Sequence, residues 1–410
     1  MSPHRHRRRD DDTLVLLLAG GQGERLHPLT RRHAKPAVPF AGLYRIIDFT
    51  LSNCVNSGLK RVYVLTQHKS LSLDRHLRSA WGMLRPQLDE FVQAVPPQRA
   101  LATRWYAGTA DAVFQNLHLL EEERPARVLL VSGDHVYRMD YRRLIEFHVE
   151  QGAAATIACT EVPLAEATRM GVIGVDEHAR VSSFVEKPKD PVPLPHDRSR
   201  ALVNMGIYVF EAETLVRAVI EDEKSESAHD FGQNVLPALV ASQPVFAWDV
   251  SKRGLPRERY WKDVGTLDSY YEANLGLLVP RPPFDLFDDG WPLRADTEHH
   301  LPTVVRDSGL HAGRISNSLV SPGAHIDGGS ISRSIVSPRV SIAAGATVEE
   351  SILLSGVKVG EGAVVRRAIV DEDVVIPAHA RVGTDAADDR RRFTVTPAGV
   401  VVVPGRVALA

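Results

Sequence analysis

The sequence contains very little cysteine, with only Cys54 and Cys159 in 410 residues. Both lie inside apolar stretches, so the chain can assemble neither a disulfide framework nor a thiolate metal site, and we expect two buried free thiols. Apolar runs long enough to cross a membrane are also missing. Together these features predict a soluble, cytoplasmic protein.

The sequence lacks an excess of charge of either sign. Its 49 lysines and arginines nearly balance 51 aspartates and glutamates, which gives a net charge of −2. This balance argues against a surface built to coat nucleic acid or an anionic membrane and favours small-molecule partners. Residues 1–12 are an exception, because a basic run precedes an acidic one. We expect a disordered tail there, with a nucleic-acid-binding arm as the alternative.

Apolar residues make up 44% of the chain, which is enough for two or more packed domains. Residues 13–279 alternate short apolar runs with helix-like segments, and this pattern predicts an α/β domain with a Rossmann-like, mostly parallel sheet. Such sheets bind ligands in the crevice at the carboxyl ends of their strands. We predict strands at 13–18, 61–66, 127–132, 154–159, 172–175, 182–186 and 205–210, and a crossover helix at 141–150.

The pattern changes after a predicted linker at 280–309, and residues 310–410 are rich in valine, isoleucine, serine and glycine. An aliphatic residue every six positions predicts hexapeptide-like repeats, each forming one face of a parallel β-helix. The phase slips between runs, which fits either one-residue insertions at the corners or a valine-rich β region of another kind. The runs are Val336, Ile342, Val348 and Leu354, then Val359 and Val365, then Val370, Ile376 and Val382.

A glycine-rich segment directly follows the first predicted strand. Gly20, Gly21 and Gly23 let backbone N–H groups approach an anion without a Cβ in the way, which suits a triphosphate, although a plain tight turn fits the glycines equally well. The spacing matches neither a Walker loop nor a dinucleotide fingerprint. Arg25 and Lys35 follow, and two cations aimed at one pocket would neutralise phosphate charge and steady a departing pyrophosphate.

Two aspartates are candidate metal ligands. Asp134 follows the apolar strand at 127–132, and Asp263 comes shortly before Gly265 and a helix-like segment. Carboxylate oxygens suit Mg²⁺, and two such groups could hold one ion beside a reacting phosphate. Capping of a helix is the alternative role for Asp134.

A second polar group follows two later strands. Glu186 could accept hydrogen bonds from sugar hydroxyls while Lys187 meets a sugar phosphate, although an ordinary surface pair is the alternative. Asn204 precedes the strand at 205–210, and its amide can both donate to and accept from a hydroxyl-rich ligand. These residues predict a sugar phosphate site.

Longer motifs carry a resemblance to a known family. The GGQGERL loop at 20–26, followed by Lys-Pro at 35–36, resembles the sugar-nucleotide pyrophosphorylases. Further stretches resemble one branch of them, the bacterial glucose-1-phosphate adenylyltransferases, over nearly the whole chain after residue 13. These stretches are KPAV at 35–38, YRIIDF at 44–49, LSNC at 51–54, WYAGTADAV at 105–113 and DFG at 230–232.

The resemblance implies that glucose 1-phosphate attacks the α-phosphorus of ATP in line, giving ADP-glucose for an α-glucan such as glycogen, and pyrophosphate. It also implies that the C-terminal β-helix is left-handed. By the same resemblance Arg25 and Lys35 serve the triphosphate, and Asp134 and Asp263 bind Mg²⁺, so that these four residues are catalytic. The nucleotide would meet Gly20, Gly21, Gly23, Gly108 and Asp134, and glucose 1-phosphate would meet Tyr106, Gly171, Glu186, Lys187 and Asn204.

The resemblance further implies a homotetramer that is controlled by glycolytic intermediates. Its activator site would lie between the two domains, where Arg32, Arg45, Arg391 and Arg392 match basic positions of the family. Solvated surface charges are the alternative for each of these arginines. The identity of the effector does not follow from the sequence.

Three alternatives compete with this function. A sister enzyme could use another nucleotide or sugar phosphate, because Asn204 stands where some family members have serine and Gln22 where many have arginine. A regulatory subunit could bind the ligands without catalysis, although the predicted catalytic residues are all present. An acyltransferase would account for the hexapeptide-like repeats but leaves the glycine-rich loop unexplained.

Overall fold

A computed structural model describes residues 12–21, 23–67, 69–97, 105–296 and 301–405. The predicted tail, except for Asp12, and Gln22 lie outside the described residues. None of the helices in the described ranges is long and apolar enough to cross a bilayer.

The N-terminal part of the chain contains thirteen strands and ten α-helices within the described residues. The strands are β1 (Thr13–Ala19), β2 (Pro39–Phe40), β3 (Tyr44–Arg45), β4 (Arg61–Thr66), β5 (Phe91–Val95), β6 (Arg127–Ser132), β7 (His135–Tyr137), β8 (Ala155–Pro163), β9 (Gly171–Val175), β10 (Val181–Glu186), β11 (Arg200–Glu211), β12 (Val245–Asp249) and β13 (Trp261–Asp263). The helices are α1 (Ile46–Asn56), α2 (Ser70–Trp81), α3 (Thr109–Phe114), α4 (Leu117–Glu123), α5 (Tyr141–Glu150), α6 (Leu164–Ala167), α7 (Ala212–Glu223), α8 (Leu236–Ser242), α9 (Val250–Arg253) and α10 (Leu267–Leu275). Single helical turns occur at Glu24–Leu26, Leu29–Arg31, Lys35–Ala37, Pro86–Leu88, Phe231–Val235, Pro256–Glu258 and Gly276–Leu278.

Nine of these strands form one sheet in the order β10-β9-β11-β6-β1-β4-β5, and β8 joins β11 to β12. The central strands β6, β1, β4 and β5 are parallel, whereas β11 runs antiparallel to β6 and β8. Alternate residues of β1 pack into two separate apolar clusters, Leu14 and Leu16 in one and Val15 and Leu17 in the other. A strand buried on both faces reads as a continuous apolar run, as β1 does. The predicted α/β sheet is confirmed.

The C-terminal part folds into a three-faced parallel β-helix. Its strands are β14 (Val304–Arg306), β15 (Arg314–Ser316), β16 (Leu319–Val320), β17 (His325–Asp327), β18 (Ser330–Ser332), β19 (Ile335–Val336), β20 (Ser341–Ile342), β21 (Thr347–Glu349), β22 (Ile352–Leu353), β23 (Lys358–Val359), β24 (Val364–Arg366), β25 (Ala368–Val370), β26 (Val375–Ile376), β27 (Arg381–Val382), β28 (Thr394–Val395) and β29 (Val401–Val403), with one helix, α11 (Ala386–Arg392). From β14 to β27 every third strand pairs in parallel, which gives three sheets along the coil. At the C-terminal end β29 pairs in parallel with β25, and β28 pairs antiparallel with β29. The predicted β-helix is confirmed, and its first strand, β14, lies within the segment predicted to be linker.

Each coil of the β-helix is shorter than three hexapeptides. In one sheet Ser341 faces His325, Lys358 faces Ser341 and Val375 faces Lys358, so successive coils contain 16, 17 and 17 residues. The inward residue that follows Val348 is Leu353, five positions on. A tight corner with positive φ at Glu350 lies between them, and Arg333 and Arg367 have the same conformation one coil before and one coil after.

Of the two explanations offered for the phase slip, one-residue insertions at the corners are therefore wrong. Residues are missing at the corners rather than inserted: the two 17-residue coils each lack one residue of three hexapeptides, and the 16-residue coil lacks two. Leu354, predicted to point inward, instead joins the apolar cluster between the two parts of the chain.

This interface is extensive and apolar. Ile335, Ile352 and Ile369 stack on the outer surface of the β-helix and pack in one cluster with Phe40 and Phe49 of the N-terminal part. Full burial of such side chains stabilises the fold by about 1.5–3 kcal/mol each. The β-helix thus holds the segment around Phe40, which immediately follows the predicted catalytic Lys35.

Candidate active site

The glycine-rich loop leaves the end of β1 and turns back over Lys35. Gly23 has a φ of 64°, which favours glycine, and a Cβ there would lie 3.0 Å from the Cβ of Lys35. The Thr30 hydroxyl donates to the Gly23 carbonyl over 2.9 Å and fixes the turn. The glycine therefore allows the loop to pack directly against the lysine segment.

A short antiparallel ribbon brings the two predicted metal ligands together. Strand β7 pairs with β13, and Asp263 is the register partner of His135, the neighbour of Asp134. Gly133 makes the turn from β6 into this ribbon, since a Cβ at that position would lie 2.6 Å from Leu17 Cδ2. Residues far apart in the sequence thus present carboxylates to one point.

Lys35 lies between these carboxylates. Its Nζ donates to Asp134 Oδ2 and to Asp263 Oδ1, each over 2.8 Å. The lysine side chain is 8% exposed, and the aspartate side chains are 28% and 31% exposed. The three predicted residues therefore form one cluster with two charge-assisted hydrogen bonds.

The cluster shifts the pKa values of its members. Burial by itself would lower the pKa of Lys35, but the charges of Asp134 and Asp263 outweigh burial and raise this pKa. Burial also opposes ionisation of Asp134, but Lys35 and His135 outweigh it and hold the pKa of Asp134 far below its usual range. Both groups therefore stay charged throughout the physiological pH range.

The same carboxylates fit a divalent cation. Potential ligand atoms of Asp134, His135 and Asp263 all lie within 4.8 Å of one another. Two hard carboxylate oxygens at partly exposed positions suit an ion that keeps some of its waters. Arg25 lies near the Asp263 carboxylate, since both border Gly265. A Cβ at Gly265 would lie 3.1 Å from Arg25 Nη2 and 2.9 Å from the Asp263 oxygens.

A pocket of about 500 Å³ opens beside this cluster. Its volume falls in the range of small-molecule sites. Tyr106, predicted to meet glucose 1-phosphate, lines this pocket together with the glycine-rich loop and Gly108. The lining residues are Leu18, Gly20, Gly21, Lys35, Pro36, Leu65, Gln67, Trp105, Tyr106, Ala107, Gly108, Thr109, Ala112, Ser132, Asp134 and Asp230.

The predicted sugar phosphate residues lie at the ends of β9 and β10. The carboxylate of Glu186 sits between two glycines, because a Cβ at either Gly171 or Gly232 would lie 2.8 Å from its Oε2. Lys187 pairs with Glu186 over 3.0 Å, but its side chain is 61% exposed. The structure therefore joins Gly171, Glu186 and Lys187, and leaves the lysine largely in solvent.

Asn204 lies at an irregularity in β11 and connects to residues that sequence reasoning missed. Its Nδ2 donates to the Tyr208 hydroxyl over 2.7 Å. Tyr208 stacks on Phe231, and the charges of Asp230 and Glu186 help to raise the pKa of Tyr208, after the larger effect of burial. Asp230 belongs to the DFG stretch at 230–232. This motif was the feature of the sequence that could have pointed to the group formed by Asn204, Tyr208 and Asp230.

The predicted activator residues do not all meet. Arg45 lines a cleft of about 240 Å³ between the two parts of the chain, together with Arg339 and Glu372. The positive charges of Arg45 and Arg32 both act on Glu372. The cleft residues are Pro39, Gly42, Leu43, Tyr44, Arg45, His76, Asp296, Pro338, Arg339, Ser355 and Glu372.

Arg391 and Arg392 lie elsewhere, on helix α11. Both pair with Asp388 of the same helix over 3.0 Å. Neither is among the residues that line the cleft in the described part of the chain.

Contacts link the cleft to the segment that contains Lys35. Arg45 donates from Nη1 to the Ala37 carbonyl, two residues after Lys35. On the other side, His33 bonds to Glu372 of the β-helix over 2.9 Å. The segment that carries Lys35 is therefore held from both flanks by residues at or near the cleft.

Comparison with known families agrees with this division of the chain. Residues 14–279 match the family described as nucleotidyl transferase. Residues 302–403 match the family described as GlmU-like, C-terminal hexapeptide.

Individual relatives match over nearly their whole length. The chain is 46% identical to glucose-1-phosphate adenylyltransferase 2 of Vibrio cholerae, over 96% of this chain and 98% of the relative. It is 44% identical to glucose-1-phosphate adenylyltransferase of Koribacter versatilis, over 96% of this chain and 95% of the relative. A third relative, glucose-1-phosphate adenylyltransferase 2 of Vibrio vulnificus, is 47% identical over the same share of this chain and 98% of its own length.

Proposed function

The chain belongs to the glucose-1-phosphate adenylyltransferase family of nucleotidyl transferases, and from this membership we infer that it makes ADP-glucose from ATP and glucose 1-phosphate. The observation that carries the inference is the cluster of Lys35, Asp134 and Asp263 beside a pocket that is walled by the glycine-rich loop.

The reaction exchanges one phosphoanhydride bond for another. A phosphate oxygen of glucose 1-phosphate attacks the α-phosphorus of ATP, and the bond from that phosphorus to the oxygen of the β-phosphate breaks. Pyrophosphate leaves with the bonding electrons, and no covalent intermediate with the protein is required. Catalysis of such a transfer consists mainly of positioning and of charge stabilisation.

We assign the charge stabilisation to Lys35 and Arg25. The Lys35 ammonium is already fixed by two carboxylates, so no further reorganisation is needed when charge develops on the leaving group. The Arg25 guanidinium lies beside Gly265 and Asp263 and can meet the triphosphate from the other side. Asp134 and Asp263 would hold Mg²⁺, which supplies neutralisation of the phosphate charge when bound.

We assign glucose 1-phosphate to the neighbouring group at the ends of β9 and β10. Glu186 is held between two glycines and can accept hydrogen bonds from sugar hydroxyls. Asp230 borders both this group and the nucleotide pocket, so the two substrates would meet near it. Lys187 extends into solvent and would meet the sugar phosphate as it enters.

The decisive test measures pyrophosphate release with glucose 1-phosphate and Mg²⁺, using ATP, UTP, dTTP and GTP in parallel. We expect release with ATP, and Asp134→Asn should lower turnover by about 10²-fold or more, as loss of a preorganised charge does in other enzymes. Glu221→Gln, which changes an exposed carboxylate on α7, is the matched control. Preference for another nucleotide would identify a sister enzyme, and no release with any of them would revive the regulatory subunit.

We further propose that the cleft around Arg45 binds an anionic effector, in keeping with the predicted control by glycolytic intermediates. Arg45 and Arg339 supply positive charge there, and Arg45 also contacts the Lys35 segment. Repeating the pyrophosphate assay with a panel of glycolytic intermediates tests this proposal. The homotetramer and the cytoplasmic location predicted from the sequence stay predictions.

A further inference from the structure

One wall of the nucleotide pocket is lined by Gly108 and Thr109, where α3 begins. The Ala110 N–H donates to the His229 carbonyl over 2.7 Å. Gly108 touches the same backbone, because a Cβ on it would lie 2.2 Å from the His229 oxygen. Thr109 donates to Asp230 over 3.0 Å and accepts from the Phe231 N–H over 2.9 Å. The position of this wall therefore depends on the segment 228–231.

That segment is in turn fixed by the end of α7. The Asp222 carboxylate accepts from His229 Nδ1 over 2.8 Å and from the Ser227 hydroxyl over 2.9 Å. Ser227 Oγ also accepts from the backbone N–H of His229 over 2.9 Å. Asp222 is 7% exposed and His229 is 17% exposed, so these bonds are shielded from water. His229 has a φ of 50°, a conformation that its surroundings must hold in place.

The geometry excludes a proton relay among these three residues. Ser227 Oγ and Asp222 Oδ2 both face the same ring nitrogen, Nδ1, at 3.3 and 2.8 Å. A serine, histidine and aspartate relay needs the two partners on opposite ring nitrogens. The arrangement is suited to holding backbone rather than to activating a nucleophile.

We propose that Asp222 and His229 are positioning residues for the nucleotide, and that their contact sets the Gly108–Thr109 wall of the pocket. This inference rests on the proposed function, because it assumes that the pocket receives ATP. The two residues lie outside the pocket lining and act through the carbonyl of His229 and the side chain of Asp230.

Protonation of His229 strengthens the contact. The hydrogen bond with Asp222 raises the pKa of His229 above its ordinary 6.5. Burial opposes this rise in pKa, and the charges of Asp222, Glu223 and Asp111 add to it. These acids belong to α7 and α3, the helices that pack on the ring. The ring thus stays protonated to a higher pH than a free histidine, and the contact weakens as the pH rises through this raised pKa.

The test compares KM for ATP and kcat as functions of pH in the wild type, His229→Ala and Asp222→Asn. In the wild type we expect KM for ATP to rise as the pH increases above 6.5. Asp222→Asn should shift this rise to lower pH. His229→Ala should abolish it and give a KM that does not vary with pH and lies about tenfold above the wild-type value at low pH. Because the nucleotide wall is the part that moves, KM for glucose 1-phosphate and kcat should change much less.

Matched controls separate positioning from general destabilisation. His178→Ala removes an exposed histidine between β9 and β10, and Glu221→Gln neutralises an exposed acid one residue before Asp222; both should keep the wild-type pH profile. His229→Gln, which can still donate to Asp222, should recover most of the ATP affinity without the pH dependence. Thermal unfolding of each variant shows whether the fold is kept.

Two outcomes would overturn the proposal. One is an unchanged KM for ATP in His229→Ala, and the other is a loss that tracks only the unfolding temperature and leaves the pH profile in place. Failure of the proposed function is distinguishable, because the wild type would then release no pyrophosphate from ATP at any pH.

Discussion

The two ends of the active site are built differently. At the nucleotide end, Lys35 is 8% exposed and tied to two carboxylates that paired strands bring together. At the proposed sugar end, Glu186 lies between two glycines, and Lys187, which pairs with Glu186, is 61% exposed. In the proposed mechanism, charge is thus preorganised where the bond breaks and adaptable where the sugar phosphate enters.

The difference in exposure between Lys35 and Lys187 fits the roles that we propose for them. A charge that stabilises a transition state is most effective when it is already in place and partly shielded from water. A charge that captures a substrate works through a flexible stem in solvent, where each ion pair contributes little. The two lysines of the site should therefore respond very differently to the same kind of substitution.

The largest effect is expected for Lys35→Met, which keeps the length of the side chain but removes its charge. We predict that kcat/KM falls by about 10³-fold, because the triphosphate loses a fixed cation and Asp134 and Asp263 face each other without one. Steady-state pyrophosphate release measures this loss. Lys60→Met removes a half-exposed surface lysine and is the control. A loss of less than tenfold would contradict the preorganised role.

A smaller effect is expected for Lys187→Gln. We predict that KM for glucose 1-phosphate rises about tenfold and that kcat changes little, because the exposed ammonium contributes binding rather than transition-state stabilisation. Initial rates over a range of glucose 1-phosphate concentrations separate the two constants. The neighbouring exposed lysine provides the control Lys189→Gln. A large fall in kcat would instead place Lys187 at the reacting phosphate and remove the contrast between the two ends.

The smallest effect is expected for Glu372→Gln. This variant tests whether the nucleotide end of the site, around Lys35, depends on contacts with the β-helix. His33 and the charges of Arg45 and Arg32 lower the pKa of Glu372, against the opposing effect of burial. The stabilisation is therefore present above the ordinary value of 4.5 and is lost as the pH falls through the lowered pKa. We predict that the variant is about 1 kcal/mol less stable at neutral pH.

Thermal unfolding of both proteins as a function of pH checks this prediction. The difference between wild type and variant should shrink as the pH falls below 4.5. Glu361→Gln changes an exposed glutamate of the β-helix and should match the wild type at every pH. A difference that stays constant with pH would show that the charge of Glu372 is not what stabilises the interface.

Sequence reasoning located the parts of the site that follow strong local patterns. The buried strand β6 is an apolar run, so the aspartate that follows it was recognised as a strand-end residue. Its partnership with Asp263 came from the resemblance alone, because β7 and β13 contain three residues each and have no readable periodicity. Pairing between such short and distant segments is decided by tertiary packing.

Other features were invisible for similar reasons. Tyr208 reads as one more apolar residue of β11, and its place beside Asn204 and Asp230 depends on an irregularity in the strand pairing. The interface side chains Ile335, Ile352 and Ile369 read as part of a β-helix core, although they face the other domain. A sequence shows that a residue is apolar, but not which of two surfaces it covers.

The 17-residue coil is also a structural repeat that could be deleted or duplicated as one piece. Arg333 and Glu350 are equivalent corner residues. The serine after each of them donates its hydroxyl to the carbonyl two residues earlier, Ser334 to Ser332 and Ser351 to Glu349. Deletion of residues 334–350 would join Arg333 directly to Ser351. Every later strand would then keep its position in the repeat. The deletion would, however, remove one isoleucine from the row that packs on the catalytic domain. The repeat geometry thus permits duplication or loss of a coil, but the packing of the β-helix on the N-terminal part of the chain limits it.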